Sequence, residues 1–483
     1  MPKAAAAALL LAALTAFHLA TIRPGQSWDD DFALYILHAK NLAEGRAYSN
    51  TGYIYNPSYP WLGPVSYPPG FPALLAPVYG AFGLALGPMK VLVVLLLGAA
   101  LCAVFLYLAG ELPFSCALAA TAIIGLNPFL SEFKDSVVSE IPFVFFVWTS
   151  LLLARRYTLR MEADGREPIG PWLVVGLFLF FSTATRSLGI VLLPSLILYH
   201  LLRFRRITRV SVIAVVVGFA LYEIQDLLLS PSLTYSDQLR GRGLWLFRNI
   251  AYYTGSLAEF WASGSFPFLH RALTIGLLAL AAVGFVSRCR RPSMLELFTP
   301  LYVGAILVWP ASGGTRYVLP VFPAWILYAA VGVLWVRAWR PRAGRALCVT
   351  LALAIGSSYV LKYGRTDFGP LREGVETAGA LDLFRFLREQ TAPDSVLIVR
   401  RPRALALYTG RRASVYHQAD DESLLAYFRK VGATHVALGP FDTNPLLADL
   451  IRRHPDEFAS LYGTPEYRVF SFRSPPPSPS TNE

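Results

Sequence analysis

The sequence predicts an α-helical polytopic membrane protein of about eleven transmembrane helices, followed by a small carboxyl-terminal α/β domain. Three observations predict it. Hydrophobic residues make up 55% of the 483 positions and charged residues only 15%, where a soluble enzyme carries roughly 25% charged. Eleven apolar stretches can be drawn, each close to the ~20 residues that cross a ~30 Å hydrocarbon core. With the chain threaded this way, nearly every arginine cluster falls on one side of the membrane, as the positive-inside rule requires.

Taken in order, Lys3 precedes an apolar run from Ala4 to Ile22. Its length, and the lack of a small-x-small site before Pro24, favour a first anchor over a cleaved signal peptide. The amino terminus is then cytoplasmic, and the Pro/Tyr-rich loop 23–71 lies outside. The next spans are 88–109, 113–130, 139–155, 170–185, 187–203, 209–228, 271–287, 295–311, 316–336 and 345–361. Cytoplasmic loops then hold Arg155 to Arg166, Arg203 to Arg209, Arg288 to Arg291 and Arg337 to Arg345. The predicted localisation is the cytoplasmic (inner) membrane with the carboxyl terminus periplasmic or extracellular. Residues 1–362 form the membrane domain, with external loops 23–71 and 230–270. After Tyr363 the pattern changes: 372–389, 421–432 and Pro445–Tyr462 read as helices. Ser395–Arg400, Ser414–His417, His435–Leu438 and Tyr467–Phe472 read as strands. That alternation predicts an external α/β domain over 363–474. The Pro/Ser-rich tail 475–483 reads as disordered.

Composition also excludes. The net charge of +12 is spread over short loops without interleaved aromatics, which fits membrane lipid and argues against nucleic acid. Cys102, Cys116, Cys289 and Cys348 form no C-x-x-C pair and read as packing residues. No G-x-G-x-x-G and no P-loop appears, so no nucleotide site is expected.

Candidate chemistry gathers on the outer side. In Ser27-Trp28-Asp29-Asp30-Asp31, Ser27 has the position of an N-cap with Asp30 three residues on. Acidic residues at a helix start are routine, which accounts for Asp29 and Asp30. Asp31 shares a helix face with Tyr35 and Ala39. Arg186 and Arg316 sit at outer helix ends, where the topology rule provides no reason for them. A guanidinium grips phosphate oxygens in a fork, although snorkelling to headgroups accounts equally well for either alone. Lys134 and Asp135 read as a loop ion pair. Glu223 and Asp226, three apart near the outer end of the seventh span, either line an acceptor or lipid cavity or sit at the interface. Loop 230–270, with Arg240, Arg242 and Arg248, reads either as a lid or as a solvated loop.

The order Asp31-x3-Tyr35-x3-Ala39-x5-Gly45, Tyr67-Pro68-Pro69-Gly70, Phe82-Gly83, Ser139-Glu140-Ile141-Pro142-Phe143, Thr185-Arg186-Ser187 and Gly314-Thr315-Arg316-Tyr317 resembles the bacterial GT-C fold integral-membrane glycosyltransferases. That superfamily includes the protein O-mannosyltransferases and the aminoarabinose transferase of lipid A. The resemblance implies transfer of a sugar from a polyprenyl-phosphate carrier to a glycan, lipid or protein acceptor outside the cytoplasm, with inversion. It implies Asp31 as the base and Glu140 as the second acidic residue. Tyr35, Tyr67, Glu223, Asp226, Arg240 and Arg242 are the further candidates for substrate contact. The aminoarabinose transferases carry a basic residue before the paired prolines, where this chain has Tyr67, a departure that argues against aminoarabinose as donor.

Chemistry points the same way. Displacement at an anomeric carbon needs a carboxylate to take the acceptor proton and cations to stabilise the departing phosphate. Arg186 and Arg316 are the predicted phosphate ligands. A divalent cation between Asp31 and Glu140 is conceivable, but two hard ligands are few, so no metal is assigned. The rivals are a lipid-linked-sugar flippase, which calls for paired broken helices in related halves, and a polysaccharide polymerase or ligase using the arginines of 230–270.

Overall fold

The computed structural model describes residues 3–229, 245–310, 313–442 and 444–473. In chain order its helices are α1 (Lys3–Ala20), α2 (Asp31–Ala43), α3 (Gly70–Phe82), α4 (Leu86–Ala109), α5 (Phe114–Gly125), α6 (Pro128–Lys134), α7 (Glu140–Asp164) and α8 (Ile169–Thr185). They continue as α9 (Leu192–Phe204), α10 (Arg209–Leu229), α11 (Trp245–Glu259), α12 (Pro267–Arg288), α13 (Met294–Val308), α14 (Phe322–Trp339) and α15 (Pro341–Tyr363). The last four are α16 (Ala378–Gln390), α17 (Pro402–Thr409), α18 (Asp421–Lys430) and α19 (Leu446–Arg453). Strands are β1 (Tyr53–Ile54), β2 (Val396–Ile398), β3 (Arg412–Ser414), β4 (His435–Leu438), β5 (Phe458–Gly463) and β6 (Arg468–Phe472).

Helices occupy the place of every predicted span. Among the described residues, seven helical segments are long and apolar enough to cross a membrane by length and composition, or eight with α5 and α6 taken as one span. The predicted span 113–130 is broken: α5 and α6 meet at 56°. Pro128 cannot continue the α5 hydrogen-bond ladder, and Asn127 caps the new start by accepting from the Phe129 and Leu130 amides. Its amide nitrogen donates to the Phe260 carbonyl (2.9 Å) and Tyr359 Oη (2.8 Å), so the break is anchored to two distant elements. The bend turns the chain so that α7 begins at Glu140. Elsewhere the helices pack backbone to backbone. α12 crosses α14 where Gly284 faces the Tyr328 carbonyl and Gly332 the Leu280 carbonyl, too close for any Cβ.

Two buried lysines fix the lead-in to α2. Lys90, on α4, donates to the carbonyls of Arg23 (2.8 Å) and Gly25. Lys134 makes the expected pair with Asp135 (2.8 Å) and also holds the Thr21 carbonyl (2.5 Å). A buried ammonium persists only when so satisfied, and here the two pin residues 21–25.

The sheet runs β1-β3-β2-β4-β6-β5. Pairings among β1, β3, β2 and β4 are parallel, while β4-β6 and β5-β6 are antiparallel. Its edge strand β1 comes from the first loop, so loop 23–71 and the carboxyl-terminal segment share one sheet. Two expectations are corrected. The helix expected over 445–462 ends at Arg453, because Pro455 disfavours helix in the residue before it, and 458–463 forms a hairpin strand with β6.

The other correction concerns the acidic run. α2 starts at Asp31, with Asp30 rather than Ser27 at the N-cap position. The Asp30 carboxylate, 1% exposed, turns away and caps α17, accepting from the amides of Arg403 (3.3 Å) and Ala404 (3.0 Å). Asp30→Ala is therefore expected to lower stability by about 1 kcal/mol, as loss of an N-cap does. Asp30→Asn, which keeps an acceptor, should stay close to wild type in thermal unfolding of the detergent-solubilised protein.

Candidate active site

Each of the four main candidate side chains is delivered by a local break in regular structure. Asp31 opens α2 and Glu140 opens α7. Arg186 lies between α8 and a 3-10 turn over Ser187–Val191, in extended conformation (φ −148°, ψ 133°), so its side chain leaves the helix axis. Arg316 sits in a 3-10 turn entered through Gly314 at φ +70°, a conformation that favours glycine.

These four predicted residues converge. Arg316 bridges both carboxylates: its Nη1 lies 2.7 Å from Asp31 Oδ2 and its Nε 2.5 Å from Glu140 Oε1. Arg186 Nη1 reaches the same Glu140 oxygen at 2.6 Å and stacks its guanidinium over Tyr317 at 5.2 Å. Both predicted tyrosines belong to the cluster. Tyr67 donates to Asp31 Oδ1 at 2.6 Å, and Tyr35 Oη lies 2.7 Å from Ser139 Oγ, which in turn accepts from Arg186. Glu140 Oε2 is buried and has no hydrogen-bond partner among the described residues.

Sequence reasoning missed two participants. Arg403, on α17, is fully buried and enters from 372 positions away. Its Nη1 donates to Tyr67 Oη at 2.7 Å and lies 3.4 Å from Asp31 Oδ1, while Nη2 donates to the Pro64 carbonyl at 3.0 Å. Its guanidinium also sits over the rings of Tyr53 (4.7 Å) and Tyr67 (4.9 Å). In the sequence, Arg400-Arg401-Pro402-Arg403 is indistinguishable from a solvated basic turn. Asp29, which reads as an ordinary helix-start acid, lines a cavity of about 260 Å³ with Glu132, Ser136, Glu140 and Arg316. The only local signal was the acidic run itself.

The three aspartates are driven apart. Burial pushes the Asp29 carboxyl up, and the Asp31 charge adds to it. Burial carries Asp30 up to about 6 against the pull of Arg403. For Asp31 burial acts in the same upward sense, but Arg316, Arg403 and the Tyr67 hydroxyl outweigh it and hold the carboxyl at about 2. Such divergence among neighbouring titratable groups is typical of acid–base sites.

Other candidates lie elsewhere. Glu223 and Asp226 are exposed on α10 and form no ion pair with the described residues, so nothing places them at the cluster. Arg240 and Arg242 lie outside the described residues. Arg248 donates to the Pro310 carbonyl (2.7 Å) and stacks on Trp245. Between Asp31 and Glu140, where a shared cation was considered, stands the Arg316 guanidinium. Among the described residues no three His, Cys, Asp or Glu group as a metal site, so this donor set does not fit one.

No protein-family profile and no curated protein matches the chain. Solved structures do. The archaeal oligosaccharyltransferase AglB from Archaeoglobus fulgidus, in complex with an inhibitory peptide and a dolichol-phosphate, aligns with a TM-score of 0.61 at 13% identity, over 94% of this chain and 72% of its own. ArnT from Cupriavidus metallidurans, bound to undecaprenyl phosphate, aligns at 0.56 and 13% identity, over 96% and 97%. The mycobacterial arabinofuranosyltransferase AftD aligns at 0.58 and 14% identity, over 96% of this chain and 40% of its own. All three are GT-C fold glycosyltransferases, and the chain has their fold.

The electrostatics make a signed prediction. A carboxyl held below its ordinary value contributes stability above the unfolded value, and loses it as pH falls through the folded one. Asp31 therefore contributes above about pH 4 and its contribution fades toward pH 2. Arg316→Gln removes the largest lowering charge, so the fall in unfolding temperature between about pH 5 and 2.5 should shallow. In an Asp31→Asn background the same substitution should shallow that slope less, because only the Arg316 pairing with Glu140 is then left to lose.

Proposed function

We propose that this protein is a glycosyltransferase of the cytoplasmic membrane, acting on the outer face, that moves a sugar from a polyprenyl-phosphate donor to a hydroxyl-bearing acceptor with inversion. The observation that carries this reading is the pair of guanidiniums, Arg186 and Arg316, converging on two carboxylates at 2.5–2.7 Å. The GT-C neighbours solved with dolichol-phosphate and with undecaprenyl phosphate support a lipid-phosphate donor.

The geometry supports the following chemistry. The acceptor oxygen attacks the anomeric carbon as the bond from that carbon to the phosphate oxygen breaks. The acceptor proton passes to Asp31, and the lipid phosphate departs with the bonding electrons, held by Arg186 and Arg316. In the resting cluster Asp31 is a weak base because Arg316 faces it. A donor phosphate competing for Arg316 withdraws that charge, so the base strengthens only once donor is in place. Glu140, with one free buried oxygen, orients both arginines. Arg403 acts as a positioning residue: through Tyr67 it engages Asp31 Oδ1 and leaves Oδ2 toward Arg316. It thus brings a positive charge to Tyr67, where the aminoarabinose transferases place a basic residue in the chain itself.

A second reading has its own observation: Asp29 lines the cavity beside Glu140 and Arg316, and its carboxyl is raised toward basicity. The flippase reading calls for charges in two related halves, whereas these charges form one cluster. The ligase reading rests on arginines outside the described residues.

Mass spectrometry of envelope glycolipids and glycoproteins, with and without the protein, identifies the product. Transfer by variants then assigns the base. Asp31→Asn should lose on the order of 10²–10⁴-fold in rate while Asp29→Asn stays within about tenfold; the reverse order assigns the proton transfer to Asp29, and full activity in both ends the mechanism. Arg403→Met should lower kcat and move the acidic limb of the pH–rate profile upward with little change in donor KM. Arg403→Lys should restore part of both.

A further inference from the structure

At the opposite pole of the helix bundle lies a second charged cavity that the transfer reaction does not use. Arg155 is fifteen residues along α7 from Glu140, about 22 Å at 1.5 Å per residue. Around it, α7, α9, the turn after α4 and the link between α12 and α13 enclose a cavity of about 300 Å³. Five arginines line it (Arg155, Arg203, Arg288, Arg290 and Arg291), together with a single acid, Glu111.

Both oxygens of that acid are already engaged by guanidiniums. Glu111 Oε1 accepts from Arg155 Nε at 2.5 Å and Oε2 from Arg288 Nη1 at 2.6 Å. Arg288 Nε is held by Glu296 at 2.6 Å, and Arg203 by Glu162. These pairs orient the guanidiniums without exhausting them. Arg155 Nη1 and Arg288 Nη2 make no hydrogen bond among the described residues, and Arg290 and Arg291 are exposed and form no ion pair among them. Topological bias explains basic loops on this side, but not five guanidiniums from α7, α9 and the end of α12 with its following link all facing one cavity, two of them only 19% and 13% exposed.

We infer that this cavity binds a phosphate group, for which forked, incompletely used guanidiniums are the matching donors. Its surroundings favour a phosphate carried on an amphiphile. Leu159 in the lining is 42% exposed, and Leu202 and Val286, each one residue before a lining residue, are 46% and 65% exposed. Apolar side chains beside a basic pocket at a bundle end suit the headgroup and upper acyl chains of an anionic phospholipid. The inference is independent of the proposed transfer mechanism.

The test uses the full chain in detergent, analysed by native mass spectrometry after exposure to mixed micelles of phosphatidylcholine with phosphatidylglycerol or cardiolipin. Wild type should retain the anionic lipid. Arg290→Gln with Arg291→Gln should lower its occupancy by roughly thirtyfold, the effect of two near-surface charges. Arg342→Gln with Arg345→Gln, which removes the same charge from a neighbouring basic segment, should not. If no lipid is retained, but inorganic phosphate raises the unfolding temperature of wild type and not of the first variant, the phosphate site stands with a soluble source. Equal lipid retention and equal phosphate response in all three proteins would overturn the inference.

Discussion

One guanidinium organises the candidate site of this protein. Arg316 spans Asp31 and Glu140, residues that begin two different helices, and so joins the first loop, the start of α7 and the turn before α14. Asp31, Glu140 and the guanidiniums of Arg186, Arg316 and Arg403, in a confined, largely desolvated volume, tolerate one another only because each charge has a partner. Removing Glu140 or Arg316 leaves a buried charge uncompensated. The surrounding scaffold, from the Asn127 anchor to the two lysines gripping residues 21–25, holds the helix starts where that pairing is possible.

The same pairing restrains the chemistry. A carboxylate facing two guanidiniums is ionised but a poor proton acceptor, and arginines facing carboxylates are poor anion hosts until something more negative arrives. The proposed lipid-phosphate donor is such a guest. In the proposed reaction the site works as an exchange, with donor binding replacing internal partners by external ones and altering Asp31 at that moment. The sheet takes part in this arrangement, since β1 comes from the first loop and Arg403 from α17 reaches through Tyr67 to Asp31. Asp30 caps α17 and ties the same helix back to the acidic run.

How much of this was legible depended on whether the signal was local. Apolar length located the helices, and arginines on the disfavoured side marked Arg186 and Arg316, because both signals follow from the cost of charge near hydrocarbon. The four-residue step from Asp31 to Tyr35 survived because α2 does start at Asp31. Ser27 was misread as its cap, since capping preference says nothing of a carboxylate that turns to cap a helix 370 residues later. The β5 strand was hidden inside a helical pattern that Pro455 interrupts. Arg403 had no signal at all: its contacts arise where the first loop meets the carboxyl-terminal segment, and one arginine among several in a basic turn carries no trace of that.

The account stands on phosphate displacing carboxylate at Arg316. The direct measurement is an electron cryomicroscopy structure of the full chain in lipid nanodiscs with a polyprenyl phosphate bound. It should show the phosphate between Arg186 and Arg316, with Asp31 Oδ2 released from the guanidinium and facing the adjoining cavity. A phosphate seated elsewhere, with the Asp31–Arg316–Glu140 bridge intact, would contradict it.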